Sequence, residues 1–276
     1  MTIARIREFS RRRVLAALAA VAPGCGLYGR RVARDIRYAP YDETALDVWH
    51  PHFKSGLNPA MLLLHGGGWQ YGRKEEVGAS LYLRQGFAVV AVEYRKLPRY
   101  FAPVAVEDAV AAADWVRRNG AAYGIDASRV GAAGPSAGGH LALMAAFAPE
   151  APKTVRAVVN FWGPTDLVAM LGTGAEANRG VGEWIPAGPG RLELARRISP
   201  LWCVRPGLPP VLTIHGDADP LVNFAQAERL TEALRAAGDR AELIRVPGGG
   251  HPPVQPADLP PRVFTFLKET LLGRRS

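Results

Sequence analysis

Short apolar runs alternating with helical patterns constrain this chain more than any other feature. Ala60–Leu64, Phe87–Val92, Val130–Ala133, Val155–Phe161, Val211–His215 and Ala241–Val246 read as strands, with the length and apolarity expected where a sheet is buried on both faces. Ala45–His50 reads as an earlier strand. Between them, Lys74–Gln85, Val104–Arg118, Ala137–Phe147, Leu221–Ala237 and Pro261–Leu272 read as helices. Val106, Val110 and Ala113 form one stripe, stopped by Gly120; Phe224, Ala227, Leu230 and Leu234 form another, stopped by Gly238, the spacing of helices that bury one side. Such alternation predicts an α/β fold: a mostly parallel central sheet with helices on both faces. The rhythm fails between Pro164 and Pro210, a stretch rich in Gly, Pro and Trp, which reads as a cap or lid insertion.

Composition narrows the class. The chain has 276 residues, 48% of them hydrophobic, and a net charge of +9, enough apolar material for one large domain. No run reaches the ~18 apolar residues of a membrane-spanning helix. The positive excess is partly terminal, because Arg5, Arg7, Arg11, Arg12 and Arg13 outweigh Glu8. No basic run interleaved with aromatics follows, so nucleic-acid binding is not expected.

Residues 1–25 have the order of a signal segment: arginines, the apolar run Val14 to Ala22, then Pro23-Gly24-Cys25. Ser10-Arg11-Arg12-Arg13-Val14-Leu15 resembles a twin-arginine export signal. Cys25 could act as a lipoprotein acceptor and so as a membrane tether, although Ala22 and Pro23 fit that pattern poorly. The expectation is an exported protein (periplasmic, secreted or lipid-anchored) with its folded domain over 35–272. Cys203 reads as a buried free thiol, and neither cysteine sits in a metal-ligand spacing.

Chemistry concentrates at four places. Gly134-Pro135-Ser136-Ala137-Gly138 fits G-x-S-x-G between an apolar strand and an Ala-rich helix, the context in which that pattern forms a nucleophile elbow. The flanking glycines permit the tight turn, and the helix N-terminus favours developing negative charge. His65-Gly66-Gly67-Gly68-Trp69 follows another strand. Its glycines let the backbone approach a ligand and aim amides at an oxyanion, so Gly67, Gly68 and Ala137 are the expected oxyanion-hole donors. His65 is expected to brace this loop.

A proton acceptor must come late in the chain, and His251 lies in the glycine-rich Pro247–Pro252 after the final strand. An acid that orients it belongs in His215-Gly216-Asp217-Ala218-Asp219-Pro220, where two aspartates compete. Asp219 lies further into the loop and is the expected partner; Asp217 is expected to bond nearby amides. Trp69, Phe161, Trp162, Trp184 and Trp202 are candidates for lining a substrate pocket, Trp69 and Trp162 foremost, each weighed against plain packing. His140 is expected to be packed, His50 and His52 to be structural, and Glu107 and Asp108 to be a solvated edge or a loop anchor. No H-E-x-x-H, P-loop or dinucleotide fingerprint occurs, so neither metal nor cofactor is indicated.

Taken with Val106-Glu-Asp108, Tyr123–Val130 and Ile214–Val222, these motifs resemble the esterase branch of the α/β-hydrolases. The resemblance is nearest to the group containing bacterial feruloyl and acetylxylan esterases, and extends to hormone-sensitive-lipase-like esterases. It covers roughly residues 35 to 272 and implies the α/β-hydrolase fold, a Ser136–Asp219–His251 triad, a small-molecule ester as substrate, no cofactor and an acyl-enzyme intermediate. This chain departs from the group at Arg99, where relatives often carry Glu, and in the 164–210 insertion. Two other readings use the same residues: an amide, formamide or lactone hydrolase, and a catalytically inactive hydrolase fold that only binds.

Overall fold

The computed structural model describes residues 28–52, 56–172, 178–252 and 259–273. The signal-segment reading of 1–25, including Cys25, lies outside the described residues.

The chain forms an eight-stranded sheet. Its strands are β1 (Gly29–Arg37), β2 (Ala45–Pro51), β3 (Asn58–Leu64), β4 (Ala88–Val92), β5 (Ile125–Pro135), β6 (Val155–Phe161), β7 (Val211–Gly216) and β8 (Ala241–Val246). Their spatial order is β1-β2-β4-β3-β5-β6-β7-β8. β2 pairs antiparallel with both β1 and β4, and every later pairing is parallel.

The helices are α1 (Ala79–Arg84), α2 (Val104–Asn119), α3 (Ala137–Phe147), α4 (Leu167–Leu171), α5 (Arg179–Trp184), α6 (Arg191–Arg197), α7 (Ala225–Ala236) and α8 (Leu259–Leu272). Successive residues of a strand point to opposite faces, and the core divides accordingly. Leu62, Leu64, Val90 and Val92 pack with α2, α3, α7 and the 164–210 segment. Met61, Leu63, Val89 and Ala91 pack with Tyr82 and Leu83 of α1 and Phe266 and Leu267 of α8. The result is the doubly covered, mostly parallel sheet of an α/β-hydrolase.

β5 starts at Ile125 rather than Val130 and α8 at Leu259 rather than Pro261, and three further elements also differ from the sequence reading. β1 begins at Gly29, ahead of residue 35. Its Arg30, Arg31, Arg34, Asp35 and Arg37 hide any apolar period. It is an edge strand pinned by Arg31 to Asp47 at 3.0 Å, and charge on an edge also blocks further pairing. Lys74–Gln85 is not one helix: a 3₁₀ turn at Lys74–Glu76 ends before Gly78, whose φ of 66° breaks the path into α1. The helix expected from Leu221 starts at Ala225, because Asp219 Oδ1 accepts the Leu221 and Val222 amides at 2.8 and 3.0 Å and shapes a turn there.

The 164–210 segment contains α4, α5 and α6 and a 3₁₀ turn at Pro200–Cys203. Asp166 and Asn178 cap the first two helices through the Ala169 and Val181 amides. Leu167, Met170, Val181, Trp184, Ala195 and Ile198 are buried against the α2–α3 side of the core.

Candidate active site

The site lies where the parallel strands end. β5 runs into Ser136, which sits at φ 53°, ψ −123° before α3. A non-glycine residue held at positive φ costs about 1–3 kcal/mol and persists only when its surroundings enforce it. Here the backbone does so. The Ser136 amide donates to the Phe161 carbonyl of β6 at 2.8 Å. A Cβ on Gly134 would lie 2.4 Å from the Leu64 carbonyl oxygen, and one on Gly138 2.2 Å from the same oxygen. The two glycines of G-x-S-x-G are therefore demanded by the closeness of β3.

His251 stands on the loop after β8. Its Nδ1 is 2.6 Å from Asp219 Oδ2, and its Nε2 is 3.0 Å from Ser136 Oγ. With Nδ1–H donated to the carboxylate, Nε2 is left to accept the serine proton. Burial raises the Asp219 pKa, but hydrogen bonds from His215, His251 and the Val222 amide outweigh it and hold the carboxyl well below the usual carboxylate range. Asp217 bonds amides as expected, but on the base loop: it accepts the Gly248 amide at 2.6 Å and Arg245 Nε at 2.6 Å. The Ala218 amide donates to the Gly249 carbonyl at 3.0 Å, tying the acid and base loops together.

Gly67 and Gly68 have φ of 115° and 61°. The loop curls back so that the Gly67 carbonyl accepts from the Gln70 and Tyr71 amides. Among the described residues nothing accepts from the amides of Gly67, Gly68 or Ala137. His65 braces the loop: its Nδ1 is 2.8 Å from the Gly66 carbonyl, its Nε2 is 3.2 Å from Glu93, and its ring stacks on Tyr94. Glu93, which the sequence reading passed over, also bonds Lys96 and the Lys74 amide. Burial raises its pKa, but the bonds from His65 and Lys96 win and bring it down to about 2. Asp108 is a loop anchor, fully buried and clamped by Arg95 at 2.7 to 3.0 Å, whereas Glu107 is exposed.

The aromatic expectations fare differently. Trp69 is 3% exposed; its ring stacks on Trp184 at 4.1 Å and its Nε1 donates to His140 Nδ1 at 3.3 Å. It is packed against Trp184 and His140, the packing alternative weighed for it from sequence. Trp162, also buried, presents an edge to the His251 ring at 6.3 Å and so backs the base. Phe161 is half-buried beside it, and Trp184 is fully buried. Trp202 is 54% exposed and bonded to Asp166. His140 is packed as expected, with Nε2 2.7 Å from the Ile198 carbonyl. His50 is structural, its ring facing the Tyr123 carbonyl. Cys203 is a free thiol but only half-buried.

Comparison with known proteins bears on the family and the fold. The BD-FAE family profile matches residues 46–234. Esterase LipQ of Mycobacterium tuberculosis is 31% identical over 74% of this chain and 53% of its own length. The isoprenylcysteine alpha-carbonyl methylesterase ICME of Arabidopsis thaliana is 26% identical over 81% of this chain and 57% of its own. The chain thus spans little more than half the length of these curated relatives. Among solved structures, a truncated carbohydrate esterase from gut microbiota superposes with a TM-score of 0.77 at 27% identity, covering 89% of this chain and 97% of that one. A thermophilic esterase from the planctomycete Thermogutta terrifontis gives 0.69 at 25% identity, covering 88% and 91%.

Proposed function

The chain belongs to the BD-FAE family of α/β-hydrolase esterases, and from that premise we propose that it cleaves carboxylic esters of small molecules through an acyl-enzyme on Ser136. The observation that carries the proposal is the continuous chain from Asp219 through His251 to Ser136, with links of 2.6 and 3.0 Å.

Ser136 Oγ attacks the ester carbonyl carbon as its proton passes to His251 Nε2. The carbonyl oxygen becomes an oxyanion held by the amides of Gly67, Gly68 and Ala137. Each such donor is worth about 3–4 kcal/mol in the transition state where it has been measured. Asp219 stabilises the imidazolium without taking its proton. The tetrahedral species collapses, the carbon–oxygen bond to the alcohol breaks, and His251 protonates the leaving oxygen. Water then attacks the acyl group, giving a proton to His251. Collapse returns that proton to Ser136 Oγ and releases the acid.

The test is covalent. A fluorophosphonate probe should label the protein on Ser136, and Ser136→Ala should lose both labelling and turnover of p-nitrophenyl acetate, with kcat down at least ~10³-fold. Label on another residue, or full turnover in the variant, would refute the proposal. A panel of acetylated-sugar, aryl, long-chain, amide and lactone substrates then sorts the acyl and alcohol classes. We also propose export, resting on the residue order of 1–25 alone. Recovery of chains with Met1 intact from the cytosol of the native host would overturn it.

A further inference from the structure

His215, at the end of β7, is fully buried and takes no part in the steps above. Its Nε2 lies 2.9 Å from the Val222 carbonyl and 3.3 Å from Asp219 Oδ2. A carbonyl oxygen only accepts, so Nε2 carries the hydrogen, and that hydrogen faces the carboxylate oxygen that also receives His251 Nδ1–H. The other ring nitrogen, Nδ1, is buried with no hydrogen-bond partner among the described residues. The ring meets Phe224 edge-on at 5.8 Å. Were this position only packing, an apolar ring would serve better, because an orphaned buried nitrogen is destabilising. What the imidazole adds over an apolar ring is its Nε2–H.

We propose that His215 is a positioning residue for the Asp219–His251 pair, donating Nε2–H across Val222 O and Asp219 Oδ2 so that the carboxylate is presented to His251 in one orientation. Asp219 Oδ1 is already fixed by the amides of Leu221 and Val222. His215 holds the other oxygen from the strand side, where no backbone amide of the described residues reaches it. Four donors then converge on the carboxylate, and rotation about its Cβ–Cγ bond would break several at once.

This inference rests on the triad reading, and its test separates the two. His215→Phe keeps a ring without the donor. His215→Gln places a side-chain N–H at about the reach of Nε2, whereas His215→Asn places one at the level of Nδ1, too short for Asp219. Turnover of p-nitrophenyl acetate is measured per fluorophosphonate-titratable site, with Tm measured in parallel. In His215→Phe and His215→Asn kcat should fall about 10- to 100-fold with KM changed less than about twofold. His215→Gln should recover to within about fivefold of wild type, whatever its Tm. If the Phe variant does not fold, the Gln-against-Asn contrast decides alone. Equal kcat in the Gln and Asn variants overturns the proposal, as does a wild-type kcat in His215→Phe. If wild-type protein carries no label on Ser136, the triad reading fails instead.

Discussion

The nucleophile and the base reach the same point by opposite means. Around Ser136 the constraint is contact between main chains: any Cβ at Gly134 or Gly138 would penetrate the backbone of β3 or the loop after it. Around His251 the glycines are loose. A Cβ at Gly248 or Gly250 would meet nothing within 4 Å, although one at Gly216 would lie 2.2 Å from the Gly249 carbonyl oxygen. There, position comes from hydrogen bonds: Asp217 to the Gly248 amide, Gly249 to Ala218, and Asp219 to the imidazole itself. A serine hydroxyl needs an exposed, strained but immobile seat, which interlocked backbone provides. An imidazole must hold its orientation while its charge changes, which suits a carboxylate partner on an adaptable loop.

The harshest test of this contrast is Gly138→Ala. Its methyl would lie 2.2 Å from Leu64 O and 2.6 Å from His65 O, with no flexible side chain able to yield. Ester turnover should be undetectable and stability should fall by about 3 kcal/mol or more, read by thermal unfolding. Next is Asp219→Asn, which spares the backbone but turns an N–H toward His251 Nδ1; kcat should drop about 10³- to 10⁴-fold while the fold survives. An active Asp219→Asn variant would mean that the base loop orients His251 by itself.

A third test is acid titration. Burial lowers the His140 pKa to about 4, despite its bond to Ile198. The neutral ring is the folded form, so its contribution is intact above the unfolded histidine value of ~6.5 and is lost as pH falls toward 4, by about 3 kcal/mol at the limit. Glu93, held at about 2, extends the loss below the unfolded glutamate value of ~4.3. Equilibrium unfolding from pH 7 to pH 3 should therefore steepen in two stages, and His140→Leu should flatten the upper one. The mildest change is Gly250→Ala, expected to alter stability by less than about 0.5 kcal/mol and kcat by less than about threefold. A large loss there would erase the distinction between the two sides.

How much of this was legible in the chain depends on the kind of force involved. The central strands β3 to β7 announce themselves by their apolar runs, because burial on both faces demands apolar residues in sequence. β1 does not, because an edge strand needs backbone pairing and tolerates Arg30, Arg31 and Arg34. Ser136, His251 and Asp219 could be named from motif and chain order. For Trp69 the sequence leaves pocket lining and plain packing both open, and the structure buries it in a stack on Trp184. Glu93 and His215 carried only a weak signal, each being a single polar residue at the end of an apolar strand.

Local pattern was enough to specify the sheet, the helices that cover it and the turn that presents Ser136, since period, apolarity and glycine placement act over a few residues. That His215 sits on the carboxylate that meets His251, and that Trp69 binds His140, were decided only when β3, β7, β8 and α3 packed side by side. Those contacts join residues far apart in the chain, and a hydrogen bond depends on ångström-scale distance and direction that no one-dimensional spacing contains.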